Sequence, residues 1–261
     1  DSRRRGALAD LFAGRRPQAW VGGLFQEMIF QFAYLRAGPR STVPRHVREF
    51  GTALDPEAPL DGRLRELLRR DAQGRALDVP RTARLLDVGA GPLSLIGYSW
   101  PSVDVDIVAA DPLACEYAEM RKDLGLRVPD VAAPVGAEAE GLVRAFGAAA
   151  FDAVHCGNAL DHAHDPARGV AEMLRVVRPG RPVLLRHRRN EAVARGYAGL
   201  HQWNLDVRGG RLVAWRPDGD TASADTAASL RADLEEIDLG ALLVGAGLVA
   251  SGEAEGRATD A

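Results

Sequence analysis

The sequence predicts an α/β protein built on a doubly wound, mostly parallel sheet, and three observations predict it. Short apolar runs with little alternation recur between residues 83 and 187, the pattern of strands buried on both faces. Segments with helical spacing separate these runs. A glycine turn, "LLDVGAGPLS" (85–94), closes the first run, and acids stand after the next two. Right-handed crossovers between such strands bring ligands to their carboxyl ends.

Residues 1–78 read as an N-terminal helical lid. Apolar residues recur every three or four positions in "WVGGLFQEMIFQFAYLRAG" and "LDGRLRELLRR", and Pro39, Pro44 and Pro56 divide the region into several helices. Its aromatics (Trp20, Phe25, Phe30, Phe32 and Tyr34) serve as core or as the roof of a pocket. Residues 79–261 read as the ligand-binding unit. Its expected strands are 83–88, 105–110, 130–135, 151–156 and 182–187, and its expected helices 92–99, 112–124, 139–147 and 166–178. Further on, "WNLDV-RGG-RLVAW" (203–215) predicts a C-terminal β-hairpin within an insertion spanning about 200–216. "TASADTAAS" is a loop by composition, and "LGALLVGAGLVASGE" reads as a short helix, a glycine stop and a final strand.

Hydrophobic residues make up 46% of the 261 and charged ones 26%, a balance that expects a packed globule rather than disorder. The formal net charge of −3 gives no electrostatic case for nucleic acid or an anionic membrane. Lys122 is the sole lysine, so the basic residues are nearly all arginine, a compositional bias. Cys115 and Cys156 make no metal or disulfide pattern, which suits a reducing cytoplasm. No apolar run approaches the roughly 20 residues needed to span a bilayer, and the basic N-terminal stretch lacks the apolar core of a signal peptide.

Chemistry gathers at the strand ends. Gly89 and Gly91 let the backbone turn sharply beside a ligand. In a nicotinamide site that ligand is a pyrophosphate, which a carboxylate at Asp87 would repel, and Ser94 stands where the dinucleotide fingerprint has its third glycine. An acid at this point suits a cationic ligand, such as the ammonium or sulfonium of S-adenosylmethionine. Asp111, 20 residues after Gly91, ends the second strand and can accept both ribose hydroxyls of either cofactor. Glu138, past the third strand, is placed to accept an adenine amino group, with the Ala139 N–H at a ring nitrogen. Singly it reads equally well as a helix first-turn acid.

With these residues the chain resembles a class I S-adenosylmethionine-dependent methyltransferase of the small-molecule type, over roughly residues 80–190. The resemblance is carried by "LLDVGAGPLS", "VAADP", "GAEAEGL" and "FDAVHCGNALDHAHDPARGVAEMLRVVRPGRPVLL". It implies a Rossmann-like methyltransferase fold with S-adenosyl-L-methionine as cofactor and S-adenosyl-L-homocysteine as its product. It also implies Asp87, Gly89 and Gly91 around the methionine part, Asp111 and Pro112 at the ribose, Glu138 and Ala139 at the adenine, and Cys156 near the methionine amine. "PGRP" departs from the usual double glycine before the fifth strand, and the usual closing antiparallel strands are hard to place after residue 190.

An in-line displacement on a hydroxyl needs a base within hydrogen-bond reach. Five of the six histidines follow residue 150. His155 reads as buried structure and His164 as solvent-facing, whereas His162, in "NALDHAHD", and His201, opening "HQWN", are the catalytic candidates. Asn158, Asp161, His187, Gln202 and Trp203 are the candidate substrate residues. Asp161, His162 and His201 offer metal-ligand chemistry, but nothing in their spacing demands an ion, and no metal is expected. The expected function is methyl transfer to a small polar metabolite, foremost O-methylation of a sugar or other secondary metabolite, by a cytoplasmic monomer or homodimer with no nucleic-acid or membrane partner. The alternatives are N-methylation of a small amine and an NAD-dependent oxidoreductase.

Overall fold

A computed structural model describes residues 18–70, 75–208, 211–216, 236–245 and 247–250. The sheet grows outward from β1 (Thr82–Val88) in two directions. On one side lie β2 (Asp104–Asp111) and the short β3 (Val135–Gly136); on the other lie β4 (Ala153–Gly157) and β5 (Pro182–Arg188), all five parallel. The chain reverses its winding at β1, so a crevice opens at the carboxyl ends of β1 and β4, where open α/β sheets bind ligands.

Alternation along β1 feeds two cores. Ala83 and Leu85 point to one face, packed with Leu60, Leu64, Tyr98 and Trp100. Leu86 and Val88 point to the other, where Leu142, Met173 and Val176 cover them. The first face is therefore roofed by α3 (Gly62–Leu67) and the segment after the glycine turn. The second is roofed by α5 (Leu142–Phe146) and α6 (Pro166–Val176). Helix starts follow their caps: Asp61 accepts from the Arg63 and Leu64 N–H groups at 2.9 and 3.0 Å, and Asp165 accepts from Arg168 at 2.9 Å ahead of Pro166.

A third core joins the N-terminal helices to the sheet unit. α1 (Gln18–Ala37) and α2 (Pro44–Leu54) bury Leu24, Leu35 and Phe50 with Tyr117 and Met120 of α4 (Ala114–Asp123), and with Leu93 and Leu200. Each such fully buried side chain stabilises by about 1.5–3 kcal/mol. Past β5, the one-turn α7 (Glu191–Ala194) leads to β6 (Asn204–Arg208) and β7 (Arg211–Trp215), which pair antiparallel as a separate two-stranded sheet.

Three expected elements come out differently. The helix expected over 92–99 is irregular, because its backbone pairs with residues 58–61: Tyr98 N–H donates to Ala58 and Ser99 accepts from Leu60, both at 2.7 Å. Gly97, at φ +77°, leaves no room there for a Cβ, which would fall 2.0 Å from the Pro59 carbonyl oxygen. The strand expected over 130–135 is a 3-10 turn, Asp130–Ala132, followed by two strand residues, with Pro129 and Pro134 interrupting any longer ladder. The short helix expected before the final strand is extended: β8 (Glu236–Gly245) runs antiparallel along β5 and continues into β9 (Gly247–Ala250). An apolar run of that length suits either state, and the open edge of β5 decides it. The glycine turn at 209–210 and the "TASADTAAS" segment lie outside the described residues.

Candidate active site

The glycine turn is held by its own backbone. Gly89 (φ +66°) donates its N–H to Ala110 at 2.8 Å, and Gly91 (φ +65°) donates to Asp111 Oδ2 at 3.0 Å. A Cβ on Gly89 would lie 2.3 Å from that of Ala159, whereas one on Gly91 would meet nothing closer than Gln31 Nε2 at 3.9 Å. Behind the turn, buried Arg121 of α4 donates to the Pro92 carbonyl at 2.7 Å. The loop is thus braced from the protein side and open on the other.

That open side borders a cavity of about 550 Å³ at the carboxyl ends of the strands, within the usual range for small-ligand sites. Gly89, Gly91, Asp111 and Pro112 line it at the ends of β1 and β2. Glu138 and Ala139 line it past β3, and Cys156 at the end of β4. Burial drives the Asp111 carboxyl up to about 7; the N–H groups of Leu113 and Gly91 only partly offset this, and the charges of Glu27 and Asp87 add to it. Burial also pushes the Cys156 thiol well above its ordinary range, which keeps it a thiol rather than a thiolate.

Asp87 is not among the residues that line the cavity and is 3% exposed. Its Oδ1 pairs with His155 Nδ1 and its Oδ2 accepts from Ser94 Oγ, both at 2.7 Å. The carboxylate expected to face a positive ligand is thus hydrogen-bonded to His155 and Ser94. An acid of α1 does line the cavity: Glu27, which accepts from Gln31 at 2.7 Å. The sequence reading missed this pair, although two polar residues four apart within an apolar helix were its available signal.

The other half of the cavity is assembled from separate segments. Asn158, in the left-handed region at φ +50°, lines it; its N–H donates to Arg186 and its Oδ1 accepts from Arg188 N–H. The 3-10 turn Leu160–His162 carries Asp161, whose carbonyl accepts from the Gln202 and Trp203 N–H groups and so ties this turn to the stretch before β6. His162 and His201 line the cavity side by side, ring centroids 4.6 Å apart. Beneath them, buried Asp161 holds Oδ2 at 2.7 Å from His201 Nδ1. Burial opposes charge on both partners, yet Asp161 is held below the usual carboxylate range by His162 and His201, and His201 is raised by Asp161. Glu191, buried at the start of α7 and absent from the sequence expectations, also lines the cavity and adds to the rise at His201.

Four expected substrate residues do not line this cavity: Asp161 lies beneath the two histidines that do, and His187, Gln202 and Trp203 stand elsewhere. His187 is 1% exposed, borders a neighbouring cavity of about 360 Å³ among Arg45, Arg48 and Arg186, and is driven down to about 4 by burial. Gln202 donates to the Tyr197 and Gly199 carbonyls at 3.1 and 2.8 Å, and the Trp203 ring lies under the Arg216 guanidinium at 4.7 Å. Both hold the entry to β6. Among the described residues, Asp161, His162 and His201 also meet as a group with metal-ligand atoms within 4.8 Å of one another.

Residues 86–185 match the family described as "Methyltransferase domain". No curated protein matches the chain. Among solved structures, the chain is similar to YcgJ from Bacillus subtilis at 16% identity, covering 48% of this chain and 64% of that one with a TM-score of 0.33. It is similar to a putative methyltransferase from Bacillus halodurans at 23% identity, with 45% and 51% covered and a TM-score of 0.33. For the CurJ carbon methyltransferase the identity is 13%, the coverage 70% and 44%, and the TM-score 0.40. The chain thus spans less than two thirds of the length of each of these proteins. No helix among the described residues is long and apolar enough to cross a membrane.

Proposed function

We propose, on the premise that residues 86–185 are a class I methyltransferase domain with S-adenosylmethionine as its cofactor, that the chain methylates a hydroxyl of a small polar metabolite. A sugar or other secondary-metabolite acceptor, modified in the cytoplasm, suits the site best. One observation carries the reading: a single cavity has a backbone-and-carboxylate half at Gly89, Gly91, Asp111 and Glu138, and a histidine half at His162 and His201.

The cofactor supplies a methyl group on a sulfonium already primed to leave. The glycine turn would admit its methionine part at close range, Asp111 and Glu138 would accept from ribose hydroxyls and the adenine amine, and Cys156 would offer its backbone. Glu27, which lines the same cavity, would be a further acid available to a positive ligand. Opposite, Asp161 holds His201 through Nδ1 and leaves Nε2 as the nitrogen that receives the acceptor's proton, with His162 beside it. The lid helix α1 and the stretch before β6 shield the exchange from water.

The test is incubation of the full chain with methyl-labelled S-adenosylmethionine and matched panels of hydroxyl and amine acceptors, read by mass spectrometry. Labelled ethers are expected. Labelled amines alone would replace O- by N-methylation, and tight NADH binding without S-adenosylhomocysteine binding would overturn methyl transfer altogether. Under two-state conditions, S-adenosylhomocysteine at a hundred times its Kd should stabilise the protein by about 2.7 kcal/mol.

A further inference from the structure

We propose that Asp161, His162 and His201 form a binding site for one first-row divalent cation at the acceptor end of the cavity. Their donor atoms converge on one point. Asp161 Oδ2 lies 2.7 Å from His201 Nδ1, His162 Nε2 lies 3.1 Å from the same Nδ1, and His162 Nε2 is 3.6 Å from Asp161 Oδ2. A proton on His201 Nδ1 accounts for the first distance. It leaves His162 Nε2 turned toward a donor already committed to the carboxylate, and beyond hydrogen-bond range of the carboxylate itself.

A cation satisfies all three at once. A triangle with these sides lets one ion sit just off its plane at ordinary ligand distances of about 2.0–2.2 Å from every corner. A second observation points the same way. The other oxygen of the same carboxylate, Asp161 Oδ1, is buried with no hydrogen-bond partner. Buried carboxylate oxygens are costly to leave without a donor or a cation.

Two imidazoles and one carboxylate, with positions open toward a cavity, favour zinc, iron or cobalt over magnesium or calcium. The site rests on the reading that the acceptor hydroxyl lies beside His162 and His201. A cation there would hold that oxygen and lower its affinity for its proton, which would pass to solvent; the ion would replace, rather than assist, proton transfer to His201 Nε2.

The test is titration of chelator-treated full-length protein with Co²⁺, followed by visible absorption, with Zn²⁺ and Mg²⁺ compared by calorimetry. One Co²⁺ per chain is expected, with Mg²⁺ bound at least about a hundredfold more weakly. Asp161→Asn, His162→Gln and His201→Gln should each weaken Co²⁺ by about tenfold or more. Retained S-adenosylhomocysteine binding certifies that each variant is folded. Protein that binds S-adenosylhomocysteine but takes up no Co²⁺, or binds it equally well in all three variants, overturns the cation site. Should Co²⁺ fail while His201→Gln still lowers turnover, methyl transfer stands without the ion. Should Co²⁺ bind while S-adenosylhomocysteine does not, the ion site stands and methyl transfer falls.

Discussion

The two halves of the cavity are built in opposite ways. The half proposed for the cofactor is local: Gly89, Gly91 and Asp111 sit at the ends of two neighbouring strands, and main-chain N–H groups hold the turn and its acid together. The half proposed for the acceptor is assembled from a distance: Asp161 and His162 come from the turn after β4, Glu191 from the segment after β5, and His201 from forty residues beyond Asp161. A site made of backbone depends on what cannot be added to it. A site made of side chains depends on what cannot be removed.

That contrast can be broken. The largest expected effect is on the side-chain half: His201→Ala should lower turnover of an identified acceptor by about 10²- to 10⁴-fold, while S-adenosylhomocysteine affinity measured calorimetrically stays near wild type. A matching loss of affinity would show that the halves are not separable. On the backbone half, Gly89→Val should weaken S-adenosylhomocysteine by about a hundredfold or more, since the added carbons collide with Ala159. Gly91→Ala has space and carries only the left-handed backbone strain, about 1–2 kcal/mol or roughly tenfold. Equal losses at the two glycines would refute the packing argument.

Two acids at the ends of adjacent strands sharpen the comparison further. Asp87→Asn should act on stability, costing about 1–3 kcal/mol in denaturant unfolding by disrupting its buried pairing with His155, with little change in cofactor affinity among folded molecules. Asp111→Asn should act on binding, weakening S-adenosylhomocysteine by about tenfold at pH 8.

Asp111 also predicts a pH dependence. Its folded-state value is raised to about 7, so the free protein keeps it protonated where the unfolded chain has already ionised. Its contribution to stability is therefore full below about pH 4 and is lost as pH rises toward and through 7. Cofactor affinity runs the other way, because ribose hydroxyls need the carboxylate: it should rise between about pH 6 and 8 in the wild type and stay flat in the asparagine variant. A flat wild-type profile would remove Asp111 from the ribose.

Much of this was legible before any coordinates. The strands around Leu85, Ile107, Val154 and Leu184 announce themselves as short, mostly apolar runs, and Gly89, Gly91, Asp111 and Glu138, which line the cavity, follow from their places at or just past strand ends. Asp87 stands off the cavity for a geometric reason: one residue along a strand reverses the face, and that reversal separates Asp87 from the cavity-lining Val88. Gln202 and Trp203 look like ligand groups in a polar-aromatic cluster, and only their hydrogen-bond and stacking partners identify them as struts.

By itself the sequence determined the wound sheet, the glycine turn and the presence of histidines suited to handle a proton, because strand periodicity and turn chemistry are short-range properties of the chain. The tertiary structure alone decided that residues 92–99 forgo a helix, that β8 extends the sheet beyond β5, and that His162 and His201 converge on one oxygen of Asp161. Each of these outcomes depends on partners dozens of residues away, and a local pattern carries no information about which distant groups will arrive to meet it.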